Sequence, residues 1–140
     1  MQIVPTTQPG LEVLEREECL RLLAENEVGR LAVVDSGRPV IFPVNYAVDD
    51  ATVVFRSDPG TKLEASRRAP VALEIDHFDS ERREGWSVVV MGYAEEITSF
   101  DPPRIRRLQW LPLQPWAEGE KAHWVRIVPL TISGRRIVRT

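Results

Sequence analysis

Short apolar runs separated by turns recur along most of the chain, and this pattern constrains the fold more than any other feature of the sequence. In the run 39–48 every second side chain is apolar, which is typical of a strand with one buried face. The turns at 35–38 and 49–50 are rich in Asp, Ser and Gly, which reverse the chain readily. Such turns between strands predict antiparallel hairpins. The apolar residues expected on one face of this run are Val40, Phe42, Val44, Tyr46 and Val48.

Extending this pattern along the chain predicts six or seven strands and two or three short helices. The predicted strands cover 28–34, 39–48, 52–56, 71–77, 86–98, 123–129 and 130–138, the last two being either separate or one strand kinked at Pro129. Helices are predicted at 14–25, 61–68 and 101–110, and an extended arm at 1–10. Because strands and helices do not alternate, we predict a mainly β fold, an antiparallel barrel with helices packed outside.

Length, charge and cysteine content narrow the function classes. A chain of 140 residues is expected to form a single domain over 1–140. The formal net charge of −3 argues against a nucleic-acid binder, whose domain is usually basic. The single cysteine, Cys19, cannot form an internal disulfide or a Cys-rich metal site, and it indicates a reducing, cytoplasmic compartment. No run approaches the roughly 20 apolar residues of a membrane helix. His77 and His123 are too far apart in sequence to suggest a metal site.

The motifs of several enzyme classes are absent from the sequence. There is no P-loop, no dinucleotide-binding glycine motif, no zinc-protease motif and no nucleophile elbow. The acidic pairs at 49–50 and 95–96 lie on or beside strands, where neighbouring side chains point to opposite faces. We therefore interpret them as turn and edge charges rather than as carboxylate dyads. Any redox chemistry must then be carried by a bound cofactor.

The segment from Arg56 to Lys62 is the strongest candidate for a binding site. A predicted strand ends there, Pro59 and Gly60 turn the chain, and a predicted helix begins. Free N–H groups at a helix start bind anions, and Thr61 and Lys62 would add a hydroxyl donor and a positive charge. Arg56 adds a planar guanidinium suited to phosphate. The segment predicts a phosphate site; the alternative is an ordinary strand–turn–helix with solvated charges.

Three other residues are candidates for contacts with a planar ligand. Asn45 lies on the strand expected to pair with the one that ends at Arg56, and its amide can donate and accept toward a flat heterocycle. The alternative is that Asn45 points to solvent on the outer face. Trp86 and Trp124 each begin a predicted strand, where an indole can stack on a planar ring or pack in the core or in a dimer contact.

Short motifs occur in a recognisable order over about residues 11–138. They are Gly29-Arg30-Leu31-Ala32, Pro43-Val44-Asn45-Tyr46, Phe55-Arg56-Ser57 with Gly60-Thr61-Lys62, Trp86-Ser87-Val88-Val89-Val90 with Gly92, and Ile127-Val128-Pro129 with Ser133-Gly134-Arg135-Arg136. Each motif is short, and their order and spacing together are specific. The chain resembles the pyridoxamine 5′-phosphate oxidase-like flavin-binding split barrels, in the short subgroup that includes nitroimidazole-resistance-like proteins.

The resemblance implies a fold, an assembly and a set of cofactor contacts. The fold would be a six-stranded antiparallel split β-barrel with short flanking helices, and two copies would form a homodimer with the flavin sites at their interface. The residues implied to hold the FMN phosphate are Arg56, Ser57, Thr61 and Lys62. Those implied to line the isoalloxazine are Val44, Asn45 and Tyr46, and those implied to approach it, in part from the partner subunit, are Trp86, Ser87 and Trp124.

The function implied by the resemblance is that of an FMN-dependent oxidoreductase acting on a small molecule. The protein would bind and orient the flavin, and no side chain is required as acid or base. The long C-terminal Trp/Arg signature of true pyridoxamine phosphate oxidases is only hinted at by Trp124-Val125-Arg126, which argues against pyridoxamine phosphate as the substrate. The alternatives are a reductase that uses a deazaflavin coenzyme, a non-catalytic flavin or small-ligand binding protein, and an empty barrel that acts as an interaction module.

Overall fold

The structure, a computed structural model, describes residues 10–57, 69–97, 108, 110, 111, 113 and 123–138. These residues form one helix and seven strands. In chain order the elements are β1 (Leu11–Val13), α1 (Arg16–Ala24), β2 (Val28–Asp35), β3 (Arg38–Asp49), β4 (Thr52–Ser57), β5 (Pro70–Asp79), β6 (Glu84–Ile97) and β7 (His123–Ile137). The mainly β prediction is confirmed.

The strands form one antiparallel sheet that closes on itself. The strand order is β1-β7-β4-β3-β2-β5-β6, and β6 also pairs with β7. The six strands β2 to β7 therefore make a closed ring, as the resemblance implied. The short β1, which the sequence did not predict, adds to the C-terminal part of β7.

Two tight hairpins connect the first strands of the barrel. Ser36 and Gly37 both have positive φ, as do Asp50 and Ala51 in the next turn. Two consecutive residues of positive φ make a turn whose twist matches that of the flanking strands. The predicted turns at 35–38 and 49–50 are thus confirmed, although Ala51 occupies a position that usually favours Gly or Asn.

The longest pairing in the barrel joins β6 to β7. The register between them shifts at Met91 and Gly92, beside Pro129. A Cβ on Gly92 would collide with the backbone of Val128, so only glycine permits this close approach. The C-terminal region is therefore one continuous strand with an irregularity beside Pro129, which settles the two alternatives that the sequence left open.

Alternation along β3 sends its apolar side chains into the barrel. Val44 and Tyr46 are buried there, and Val40, Phe42 and Val48 pack against the same core. Leucine and cysteine side chains of α1 also enter this core, so the helix closes one end of the barrel. Its bounds agree with the predicted helix at 14–25. The predicted helix at 61–68 lies outside the described residues, as does most of the one at 101–110.

A second apolar cluster lies on the outer face of the barrel wall. Ala47, Val54 and Ile97 pack there against Leu108 and Leu113. This cluster covers β3, β4 and the end of β6 next to the candidate site. No helix among the described residues is long and apolar enough to cross a membrane.

Candidate functional site

The end of β4 presents a cation stacked on an aromatic ring. Arg56 and Trp124 are partners across β4 and β7, and the guanidinium carbon of Arg56 lies 5.0 Å from the centroid of the indole ring. At this distance the positive charge of the guanidinium is attracted to the face of the indole ring. Both side chains lie on the outer face, adjoining the second apolar cluster. Two residues that the sequence proposed separately are thus brought together.

Asn45 lies on the neighbouring strand, on the same outer side of the wall. The predicted pairing of its strand with β4 is observed, since Tyr46 is opposite Phe55. Asn45 precedes Tyr46 and Arg56 follows Phe55. Because side chains alternate along each strand, Asn45 and Arg56 lie on the same face of the wall. The amide nitrogen of Asn45 is 3.5 Å from the carbonyl oxygen of Glu27. Asn45, Arg56 and Trp124 therefore form a polar and aromatic row across three strands.

Val44 and Tyr46, which flank Asn45, point the other way. Both side chains are buried in the barrel, and the hydroxyl of Tyr46 donates a hydrogen bond of 2.8 Å to the carbonyl oxygen of Leu23 in α1. Burial also raises the pKa of Tyr46 above its usual range. On the outer face, these two positions offer only their backbone to a ligand.

A cleft adjoins this part of β3. It has a volume of about 310 Å³ and lies between the C-terminal end of α1, at Ala24 and Glu25, and the β3 residues Ala47 and Val48. Its lining also includes Asn26, Glu27 and Tyr46, so polar and apolar groups share it.

The inner side of the same barrel end carries Ser57, which the resemblance implies at the phosphate, together with two polar side chains, Glu96 and His123, that the sequence analysis did not assign to the site. Ser57 is fully buried, and His123 is its partner across β4 and β7. Nδ1 of His123 lies 2.5 Å from Oε1 of Glu96. The alternation of β6 implies that Glu95 and Glu96 face opposite ways, but it does not indicate which residue of β7 each of them meets.

The glutamates at 95 and 96 each meet a basic residue of β7. Glu95 forms an ion pair with Arg126 on the outer face, and Glu96 meets His123 on the inner side. The expectation that they make no carboxylate dyad is confirmed. The pairing of β5 with β6 ends at Tyr93, so among the described strands only β7 lies beside the two glutamates, which agrees with their interpretation as edge charges.

The remaining predicted site residues are not gathered at this end of the barrel. Thr61 and Lys62 lie outside the described residues. Trp86 and Ser87 lie near the start of β6, whereas Ile97, the partner of Trp124, ends it. At about 3.3 Å per residue, roughly 30–35 Å of strand separate Ser87 from Ile97. Within one protomer, Trp86 and Ser87 lie on β6, which is separated from Arg56 on β4 by β7 on one side of the ring and by β5, β2 and β3 on the other.

A family model described as pyridoxamine 5′-phosphate oxidase matches residues 15–136, which includes every described element except β1 and the last residue of β7. The chain belongs to this family. The expected family membership is thus confirmed by a match that spans the barrel.

Solved structures place the chain more closely within the family. An FAD-binding protein of Mycobacterium smegmatis is 38% identical, with 90% of this chain and 99% of that chain covered and a TM-score of 0.78. An FAD-binding protein of Mesorhizobium loti is 30% identical, with 92% and 98% covered and a TM-score of 0.76. A 5-nitroimidazole resistance protein of Bacteroides thetaiotaomicron, at 15% identity, covers 91% and 89% with a TM-score of 0.67, which shows a shared fold alone.

Proposed function

We propose that the protein is a flavin-dependent oxidoreductase whose flavin phosphate is bound at the end of β4. The observation that carries the proposal is the Arg56 guanidinium held over Trp124, at the position that the family resemblance assigns to the phosphate. When bound, a flavin accepts and donates a hydride or single electrons, and the protein supplies binding and orientation. Similarity to two FAD-binding proteins at 38% and 30% identity supports a flavin as the ligand.

The described side chains suit an anionic ligand with a flat ring. Arg56 offers a fork of N–H donors, and the Nε of Arg126, two residues beyond Trp124, is buried with no hydrogen-bond partner in the part of the chain that the structure describes. Trp124 adds an aromatic surface, and Asn45 adds an amide that can donate and accept. We expect Arg56 to bind the phosphate and Asn45 to orient the ring system.

Both FMN and FAD carry the phosphate that this site would bind. The sequence resemblance implies FMN, whereas the similar structures named above are those of FAD-binding proteins. The two flavins share the ring, the ribityl chain and its first phosphate, so Arg56 would serve either. We therefore define the ligand as a flavin that carries a phosphate. The affinities for FMN and FAD decide between the two, and the affinity for riboflavin shows how much the phosphate contributes.

We further propose that two copies of the chain associate through the outer face of β3, β2, β5 and β6. Ile41, Ala32, Ala72 and Met91 are consecutive cross-strand partners; Ile41 is 67% exposed and Met91 53%. The next row contains Val34, Pro70 and Tyr93 and is also exposed and apolar. A contiguous apolar face of this kind marks a protein–protein contact.

A second copy of the chain fits this face for two reasons. The resemblance implies a homodimer, and in an isologous contact the same apolar face of each copy would cover the other. A partner subunit would also supply Trp86 and Ser87 to the flavin, as the resemblance implies. The small-molecule substrate would then enter at the subunit boundary.

The first experiment measures flavin affinity of the purified protein by fluorescence titration. Arg56→Ala should weaken FMN or FAD binding about tenfold or more, because a charge-assisted hydrogen bond contributes about 1.5–3 kcal/mol. The matched control is Arg82→Ala, a surface arginine in the β5–β6 turn whose side chain is 77% exposed, and it should leave the affinity unchanged. Equal affinities for the two variants would reject the phosphate assignment.

The same titration separates the other candidate functions. Tight binding of a deazaflavin coenzyme without binding of FMN or FAD would favour the deazaflavin reductase. A bound flavin that nicotinamide nucleotides do not reduce and that no substrate reoxidises would favour a non-catalytic binder. Protein that gains no thermal stability with any flavin would favour the empty barrel, because a ligand that binds only the native state must stabilise it.

The dimer proposal is tested by sedimentation velocity. Ile41→Lys introduces a charge at the β3 end of the apolar face, where the side chain is 67% exposed, and should shift the protein from dimer to monomer. Val13→Lys, on β1 and 46% exposed, is the matched control and should remain dimeric. A wild-type monomer at micromolar concentration, or a dimeric Ile41→Lys variant, would contradict the proposed contact.

A further inference from the structure

The pair formed by Glu96 and His123 has no role in the proposed function so far. The two side chains are 2.5 Å apart at Oε1 and Nδ1, and both are partly buried, with 24% and 32% of the side chain exposed. They come from β6 and β7, whose backbone pairing holds both Cα atoms in place. The pair is therefore built into the barrel wall rather than formed by mobile surface chains.

The location of His123 links it to the proposed phosphate site. Its cross-strand partner is Ser57, the last residue of β4. Its chain neighbour is Trp124, on which Arg56 is stacked. Because Arg56 and Ser57 are consecutive, their Cα atoms are about 3.8 Å apart. A ligand lying over the end of β4 would thus meet Arg56 from one side of the wall and His123 from the other.

The contact with Glu96 uses one nitrogen of the imidazole. Among the described residues, Glu96 is the hydrogen-bonding partner of His123, so Nε2 is left for a ligand. A carboxylate that accepts from Nδ1–H fixes the orientation of the ring. Both ring nitrogens donate in the protonated imidazole, which can therefore join two anions. Glu96 is one anion, and a phosphate oxygen is a suitable second.

We propose that His123 is a further ligand-binding residue, whose Nε2 donates to the flavin phosphate while Glu96 acts as the positioning residue that orients the ring. The inference rests on the proposed function. With His123 included, the proposed phosphate site has hydrogen-bond donors on two strands of one protomer, Arg56 on β4 and His123 on β7. The chemical class of ligand recognised is a phosphate monoester or diphosphate attached to a flavin.

Two substitutions at position 123 separate binding from a structural role. His123→Asn keeps an amide near the position of Nδ1 and removes the Nε2 end of the ring. His123→Gln places an amide near the position of Nε2 and gives up the contact with Glu96. If Nε2 binds phosphate, the Asn variant should bind FMN about tenfold more weakly, and the Gln variant should stay within about threefold of wild type.

Riboflavin, which lacks the phosphate, supplies the second readout. The Asn variant should bind riboflavin as wild type does, because only a phosphate contact is lost. Glu96→Gln, which keeps a hydrogen-bonding group but removes the charge, should weaken FMN binding by less than His123→Asn. Glu17→Gln, which changes an exposed residue of α1, is the control and should alter neither affinity.

Two results would overturn the inference. One is unchanged FMN affinity in His123→Asn, and the other is an equal loss of FMN and riboflavin affinity, which would indicate a structural role. Wild-type protein that binds neither FMN nor FAD would overturn the proposed function as well. If wild type binds FMN or FAD and the substitutions at position 123 do not change that affinity, only the role of His123 would be overturned.

Discussion

The two ends of the barrel are built on different principles. At the end closed by α1, apolar side chains such as Leu23 fill the opening, and the polar groups pair within the chain. The Tyr46 hydroxyl donates to a helix carbonyl oxygen, and Arg136 forms an ion pair with Glu18. At the other end, Ser57, Glu96 and His123 lie at or near strand ends on the inner side of the wall.

This difference separates residues that hold the fold from residues that we propose to bind a ligand. Buried apolar contacts stabilise a domain, whereas buried polar groups cost free energy unless they are hydrogen-bonded. Substitutions of buried residues that pack at the α1 end should therefore change the free energy of unfolding and leave flavin affinity unchanged. Substitutions of the proposed phosphate-binding residues at the Arg56 end should do the reverse.

The largest effect is expected for Leu23→Ala. Leu23 is fully buried in the core cluster, and truncating such a leucine costs about 2–5 kcal/mol through lost burial and the cavity that remains. Urea denaturation measures this loss, and flavin titration of the folded variant should give the wild-type affinity. His123→Asn is the counterpart from the other end, with a change below about 1 kcal/mol. A larger loss of unfolding free energy in His123→Asn than in Leu23→Ala would contradict the proposed difference between the two ends.

An intermediate effect is expected for Tyr46→Phe. The substitution removes one hydrogen bond of 2.8 Å to the carbonyl oxygen of Leu23 and leaves the packing of the ring unchanged. The expected loss is about 1 kcal/mol in urea denaturation. Because the hydroxyl points to α1 and away from the outer face, flavin affinity should not change. A large loss of flavin affinity would show instead that Tyr46 belongs to the ligand site.

The smallest effect is expected for Glu18→Gln, and it should depend on pH. Hydrogen bonds from Arg21 and then Arg136 lower the pKa of Glu18 to about 2. A carboxyl whose pKa is lowered by folding stabilises the native state above its ordinary pKa of 4.5, and this contribution is lost as the pH falls toward 2.

Thermal melting at several pH values measures this effect. At pH 7 the Tm of Glu18→Gln should be slightly below that of wild type, and the difference should shrink as the pH falls from about 4.5 to about 2. Glu17→Gln, an exposed residue of the same helical turn, is the control and should follow wild type at each pH. A difference that persists at pH 2 would mean that the ion pair is not its cause.

Much of the barrel was predictable because its signals are local. Apolar runs and apolar alternation predicted the six ring strands, and the turn residues predicted that the first three of them form hairpins. The three residues of β1 are too few to show a period and pair only with the distant end of β7, so they were missed. The site was predictable where a motif lies along one strand, as for Arg56. Glu96 and His123 are 27 positions apart in the chain, and no local sequence pattern predicts a contact between them.

The sequence by itself determined the strand pattern, the hairpin turns and the basic character of the segment after β4, because each depends on neighbouring residues. Only the tertiary structure decided which side chains meet. Closure of β6 onto β7 and of β7 onto β4 places Trp124 under Arg56 and Glu96 beside His123. The physical reason is register: a shift of one residue in either pairing would send each of these side chains to the opposite face of the wall.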